Sequence, residues 1–160
     1  MPPRPNTPSA RAAHTAKWET TMTRWAIRFA STGKRAGTKT VKRWQFVSFA
    51  GPAGSESRGI VDLMAIRRDH RTSTGPFKFG DLFEIIFVQI KGGSAAWPTI
   101  GDLKRLHAVR RRYRAKAVVL ASWRKGAEPQ FHILKRVSPD RTKAWADVAA
   151  MDLFGSGGRK

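Results

Sequence analysis

Three residues of this 160-residue chain could do chemistry together: Asp62, in Gly59-Ile60-Val61-Asp62, and Gln89 and Lys91, in Val88-Gln89-Ile90-Lys91-Gly92. Both stretches are apolar runs of strand length, and a polar or charged group inside such a run is costly to bury without a partner. Gln89 and Lys91 are two residues apart and point to one side of a strand. If two adjacent strand ends bring Asp62 beside them, the set offers oxygen ligands for a hard cation and a positive group for charge developing on a phosphate. Asp62 is then the anionic ligand of Mg²⁺ or Mn²⁺, with the Gln89 side-chain oxygen and the Ile90 carbonyl as neutral ligands. Lys91 orients the attacking water and stabilises the pentavalent phosphate. A single carboxylate is little charge for a divalent cation. Glu56, on the turn six residues before Asp62, is the first candidate for a second acid, whereas Glu84 has the opposite parity to Gln89 and suits the role less. The plainer alternative is a structural ion pair between Asp62 and Lys91.

Positioning these residues requires a sheet. Residues 44–49 alternate large apolar with polar side chains, as a half-buried strand does, and Gly51 to Ser55 form the following turn. Residues 59–66 predict a second strand. Residues 82–91 predict a central strand, apolar at both parities and therefore covered on two faces, which Gly92-Gly93-Ser94 ends. Thr99 and Asp102 have the spacing of a capping box, and Leu103, Leu106, Val109 and Tyr113 supply the apolar stripe of the helix that follows. Residues 117–123 and 130–134 read as two strands about a turn, and Asp140 as the cap of a final helix reaching Leu153. At the other end, Trp18, Met22, Trp25 and Phe29 recur at spacings of four, three and four, which predicts a helix from Lys17. Trp18, Trp25 and Trp44 are expected in the core. The order implies an α/β fold, a mixed central sheet flanked by helices. Residues 1–16 are expected to be a flexible basic arm, 17–154 a single domain and 155–160 a disordered tail.

Element order and motif together resemble the PD-(D/E)xK nuclease superfamily. The variant is the one with Gln in place of the acid, as in Mrr-like restriction endonucleases and Holliday-junction-resolvase-like nucleases. The likeness spans residues 17–135 and rests more on the order of elements than on the length of the motif. It implies a restriction-endonuclease-like αβββαβ core, in which an Asp of the second strand faces an acid-x-Lys of the third. It also implies a Mg²⁺-dependent endonuclease that hydrolyses phosphodiester bonds in DNA. Glu19, on the first helix, matches the helix acid that many relatives carry. Val61 stands where the family often has proline, and Gln89 removes a charge from the metal site. The alternative is therefore a catalytically decayed, DNA-binding protein of the same fold.

Charge points to the partner. The chain has 31 Lys and Arg against 11 Asp and Glu, a formal net charge of +20 and a pI near 11.7. Such a surface suits a polyanion, because neutralising phosphates releases condensed counterions. Lys104, Arg105, Arg111, Arg112 and Arg114, on the helix after the central strand, are expected to hold nucleic-acid phosphates. DNA is the first choice of partner, a basic RNA-associated protein is the competing reading, and a homodimer is left open. No cysteine is present, which excludes disulfides, thiolate nucleophiles and cysteine-based zinc sites. No apolar run approaches the roughly 20 residues that span a bilayer, no secretory signal is visible, and no basic amphipathic anchor with a large apolar face is seen, so a cytoplasmic protein without a membrane partner is expected. Trp97 follows the glycine turn beyond Lys91 and is a candidate substrate contact. The four His, at 14, 70, 107 and 132, have no metal-ligand spacing and receive no role.

Overall fold

A computed structural model of the chain describes residues 8–32, 44–49, 59–69, 75–93, 95–124 and 126–155. Six strands follow one another across a single sheet in chain order: β1 (Gln45–Ser48), β2 (Leu63–Arg68), β3 (Phe83–Gly92), β4 (Ala117–Trp123), β5 (Gln130–Leu134) and β6 (Trp145–Val148). All neighbours are antiparallel except β3 and β4, which run parallel. A parallel pair needs a crossover, and the helix α2 (Ile100–Tyr113) provides it. This is an α/β fold with a six-stranded mixed sheet flanked by helices.

Each face of the sheet has its own core. On one side α1 (Pro8–Thr32) and α4 (Ala150–Phe154) cover Leu63, Ala65, Ile86, Val88, Val119 and Ala121 with Ile27, Leu153 and Phe154. On the other, Leu103 and Leu106 of α2 and Ala144 of α3 (Arg141–Ala144) pack on Phe87, Val118, Leu120, Leu134 and Trp145. β3 is buried at both parities because both cores meet on it, as its composition implies.

A buried ion-pair cluster ties the chain's end to the sheet. Arg67 and Glu84 are register partners on β2 and β3, and Arg67 Nε donates to Glu84 Oε2 at 2.8 Å. Arg67 also donates to the carbonyls of Phe154 and Gly155, each at 3.2 Å, and lies over the Trp44 ring. Lys116 Nζ is a second partner of Glu84. Burial would push the Glu84 carboxyl up, but hydrogen bonds and charge from Arg67 and Lys116 outweigh it and hold the group below the ordinary carboxylate range. Glu84 is a structural acid on the face away from Gln89.

Three expectations need correction. The first helix begins at Pro8 rather than Lys17, so part of the expected arm is helical; residues 1–7 lie outside the described residues, as does the tail from 156. The helix also turns a different face inward. Thr20, Thr23, Ile27 and Ala30 are buried, whereas Trp18, Trp25 and Phe29 are 50%, 66% and 77% exposed. A hydroxyl explains part of this: Thr23 Oγ1 donates to the Glu19 carbonyl at 2.8 Å and accepts the Trp123 indole N–H at 2.9 Å, so threonine is buried at no loss of hydrogen bonds. Of the expected core tryptophans, Trp44 is buried and donates its Nε1–H to the Phe154 carbonyl at 2.8 Å. Finally, the expected helix from Asp140 to Leu153 is three elements. Asp140 does cap a helix, through Thr142 N at 2.9 Å, but one turn later Trp145–Val148 form β6. Pairing there satisfies the backbone of β5, which would otherwise be an unpaired edge.

Candidate active site

β2 is shorter than its sequence suggested, and the consequence falls on Asp62. The strand begins at Leu63, paired with Val88, so Asp62 is the residue just before the ladder. The Asp62 backbone still pairs, its N–H donating to the Val88 carbonyl at 3.1 Å and its carbonyl accepting from Phe49 N at 3.0 Å. The next donor along β3, the Ile90 N–H, has outlived its partner strand, and the Asp62 carboxylate takes its place, with Oδ2 accepting at 2.8 Å. The Ile90 carbonyl points to the same side of its strand as its N–H, towards β2. The Asp62 carboxylate thus joins the start of β2 to Ile90 of β3, the residue after Gln89.

Gln89 is held on the face that α2 covers, since its register partner Leu120 belongs to that core. It is buried, and among the described residues its side-chain Oε1 has no hydrogen-bond partner. An orphaned buried carbonyl oxygen is rare, because leaving it unpaired costs about 1–3 kcal/mol. Lys91 follows two residues on, with the same parity and half-buried. Lys91 makes no ion pair within 4.0 Å among the described residues, so the structural Asp62–Lys91 pair is not formed. Its charge reaches the helix that follows: Asp102 is held below the ordinary carboxylate range by its hydrogen bonds from the Thr99 backbone and side chain, helped by Lys91 and Arg105.

Comparison of the chain with family models, curated proteins and solved structures finds no match. The site must be judged on its own atoms.

The donor set suits a hard divalent cation in kind. It is made only of oxygens, one from a carboxylate, one from an amide and one from a backbone carbonyl. Gln89 Oε1, aimed into the protein with nothing to accept, is the observation that fits such an ion. In charge the set is thin, for no group of three or more His, Asp or Glu side chains gathers among the described residues. Glu56 lies outside the described residues. Glu19 reaches the same end of β3 from α1, and a β-carbon on Gly92 would collide with its carboxylate. Burial pushes that carboxyl up from its ordinary value. Gly92 has the opposite parity to Gln89 and Lys91, so Glu19 sits at the right strand end on the other face of the sheet.

The basic helix is built as expected at its start. Thr99 and Asp102 cap it reciprocally, with Thr99 N donating to Asp102 Oδ2 at 2.9 Å and Asp102 N to Thr99 Oγ1 at 3.2 Å. Leu103 and Leu106 are buried and Val109 packs against them, but Tyr113 stays exposed. Lys104, Arg105, Arg111, Arg112 and Arg114 are all exposed, whereas Arg110 turns back to the carbonyls of Ala115 and Lys116 at 3.3 and 3.0 Å and closes the helix end.

One constellation had no signal in sequence spacing. His132 Nε2 lies 3.1 Å from Ser122 Oγ and His132 Nδ1 lies 2.7 Å from Asp147 Oδ1. The three come from β4, β5 and β6, and register alone assembles them. Trp97 is half-buried and packs edge-on against His132 and Trp145, with Arg141 over its ring.

Proposed function

We propose that the protein is a metal-dependent endonuclease acting on DNA, with Asp62, Gln89 and Lys91 as its catalytic residues. The observation that carries the reading is the buried Gln89 Oε1, without a partner among the described residues, beside Ile90, whose N–H donates to the Asp62 carboxylate at 2.8 Å, with Lys91 two residues on. The order α1, β1, β2, β3, α2, β4, with three antiparallel strands and then a parallel one, supports the likeness to the PD-(D/E)xK nuclease core and to its variant with Gln. The charge of +20 and the exposed arginines of α2 suit a phosphate backbone.

Asp62, Gln89 Oε1 and the Ile90 carbonyl would hold Mg²⁺ or Mn²⁺. Such an ion, when bound, polarises the phosphate and lowers the pKa of a coordinated water. Lys91 orients the attacking water and balances charge on the phosphate, while Lys104, Arg105, Arg111, Arg112 and Arg114 hold the strand in place without reading bases. Among the described residues no helix is long and apolar enough to cross a membrane.

A second reading has its own observation. Asp62 already serves the Ile90 N–H, and no group of three or more His, Asp or Glu side chains gathers among the described residues, which favours a binding protein with a decayed centre. Nicking of supercoiled plasmid with Mg²⁺ or Mn²⁺ separates the two. Asp62→Asn and Lys91→Ala should each abolish nicking while DNA affinity and melting temperature stay near those of the wild type. Wild-type protein that binds plasmid tightly but never nicks it establishes the decayed site. Tighter binding to RNA than to DNA at matched salt would favour an RNA-associated protein instead.

A further inference from the structure

Among Asp62, Gln89 and Lys91 the one proton-accepting side chain is the Asp62 carboxylate, which the nuclease reading assigns to the cation. Asp62 Oδ2 is engaged by the Ile90 N–H, Gln89 is an amide and Lys91 is a cation. The neighbouring strands supply a second acceptor. Ser122 is the register partner of Lys91 on the parallel strand β4, so the two side chains rise from the same face with their backbones about 4.8 Å apart. Behind Ser122 stands His132, and behind His132 stands Asp147, at 3.1 and 2.7 Å. All three belong to the face that carries Gln89: Gln89 pairs with Leu120, Leu120 with His132 and His132 with Asp147.

The imidazole is set up as a base. A carboxylate can only accept, so Asp147 takes the Nδ1–H and leaves the Nε2 lone pair to accept from the Ser122 hydroxyl. Trp97, 4.8 Å away and edge-on, and the sheet beneath keep the ring from turning, and its side chain is 8% exposed. Asp147 is 93% exposed on the last strand, so solvent reaches the far end of the chain and can carry a proton away.

We propose that Ser122, His132 and Asp147 form the proton relay of the phosphodiester-cleaving centre, an assignment that rests on the nuclease reading above. As the water oxygen bonds to phosphorus, one water O–H bond breaks and its proton passes to Ser122 Oγ, whose own proton moves to His132 Nε2. The bond from phosphorus to the leaving sugar oxygen breaks, and that oxygen takes a proton from bulk water. The imidazolium, held by Asp147, returns its proton to solvent, so the sum is a diester and water giving a monoester and an alcohol. Ser122 is the catalytic residue of the three; His132 and Asp147 act through it as positioning residues.

The test is plasmid nicking in Mn²⁺ by the wild type, Ser122→Ala, His132→Gln, His132→Ala, the Ser122→Ala/His132→Gln double variant and Asp62→Asn, together with imidazole ¹⁵N spectra of the metal-free protein. Removing a general base costs about 10²- to 10⁴-fold. Ser122→Ala and His132→Gln should each lose that much in kcat with KM unchanged, and the double variant should lose no more than either. Imidazole in the buffer should restore part of the activity of His132→Ala, which a purely structural histidine would not allow. The spectra should show His132 protonated at Nδ1 alone, and loss of that tautomer in Asp147→Ala. Full activity in Ser122→Ala beside a dead Asp62→Asn overturns the relay and leaves the centre standing. A wild type that does not nick, or an active Asp62→Asn, overturns both. Should His132→Gln unfold, Ser122→Ala, which removes one oxygen, decides the matter alone.

Discussion

Replacing Gln89 by Met should make the metal-free protein more stable and the metal-bound one less so. Gln89 Oε1 is buried with no partner among the described residues, an arrangement that costs about 1–3 kcal/mol. Methionine has almost the same length and volume and brings no polar atom, so the core around Phe87 and Leu120 keeps its packing. Recovering about 1 kcal/mol of that penalty raises the melting temperature of a domain this size by about 2–4 °C. A cation bound at Oε1 works in the other direction. At a hundred times its dissociation constant it stabilises the wild type by about 2.7 kcal/mol, and the variant, missing a ligand, gains far less. Thermal unfolding followed by circular dichroism, in EDTA and in Mn²⁺, resolves both effects. The curves should cross: Gln89→Met melts higher in EDTA and the wild type melts higher in Mn²⁺. A variant that melts several degrees lower in EDTA would refute the orphaned oxygen, and one that gains as much as the wild type from Mn²⁺ would remove Gln89 from the cation site.

Glu84 should govern acid stability. Its carboxyl is held below the ordinary range, so its ion pairs contribute fully above the unfolded value of about 4.3 and are lost as pH falls through the depressed folded value. Glu84→Gln, which leaves Arg67 buried without its charge partner, should cost about 3–5 kcal/mol at pH 7 and flatten stability against pH below the ordinary carboxylate range, as read by urea unfolding at several pH values. Arg111→Ala with Arg112→Ala removes two exposed cations while Leu103, Leu106 and Val109 still anchor the helix. On duplex DNA the slope of log affinity against log salt should fall by about 1.8, two contacts at about 0.9 each, equally for unrelated sequences. A wild-type slope would make that face merely solvated.

Local pattern was enough for much of this chain. The strands at 117–123 and 130–134 have the bounds their composition implies, and the Thr99–Asp102 capping box forms as its spacing requires. The shared side of Gln89 and Lys91 follows from the two-residue period of a strand, and the charge of +20 needs only counting. These features depend on neighbours within a few residues. What the tertiary structure decided depends on partners far along the chain. The first helix has apolar residues on more than one side, and only the Trp123 indole, a hundred residues away, explains why Thr23 goes inward and Trp25 outward. Trp145–Val148 has helix-like surroundings and becomes a strand because β5 offers it an edge. Asp62 reaches the Ile90 N–H because β2 starts at Leu63, and its carboxylate replaces the hydrogen bond the missing strand would have made. Ser122, His132 and Asp147 stand ten and fifteen residues apart, intervals that mean nothing along a chain. Strand register turns them into a line of hydrogen bonds, because it places side chains of adjacent strands on one face within reach of each other.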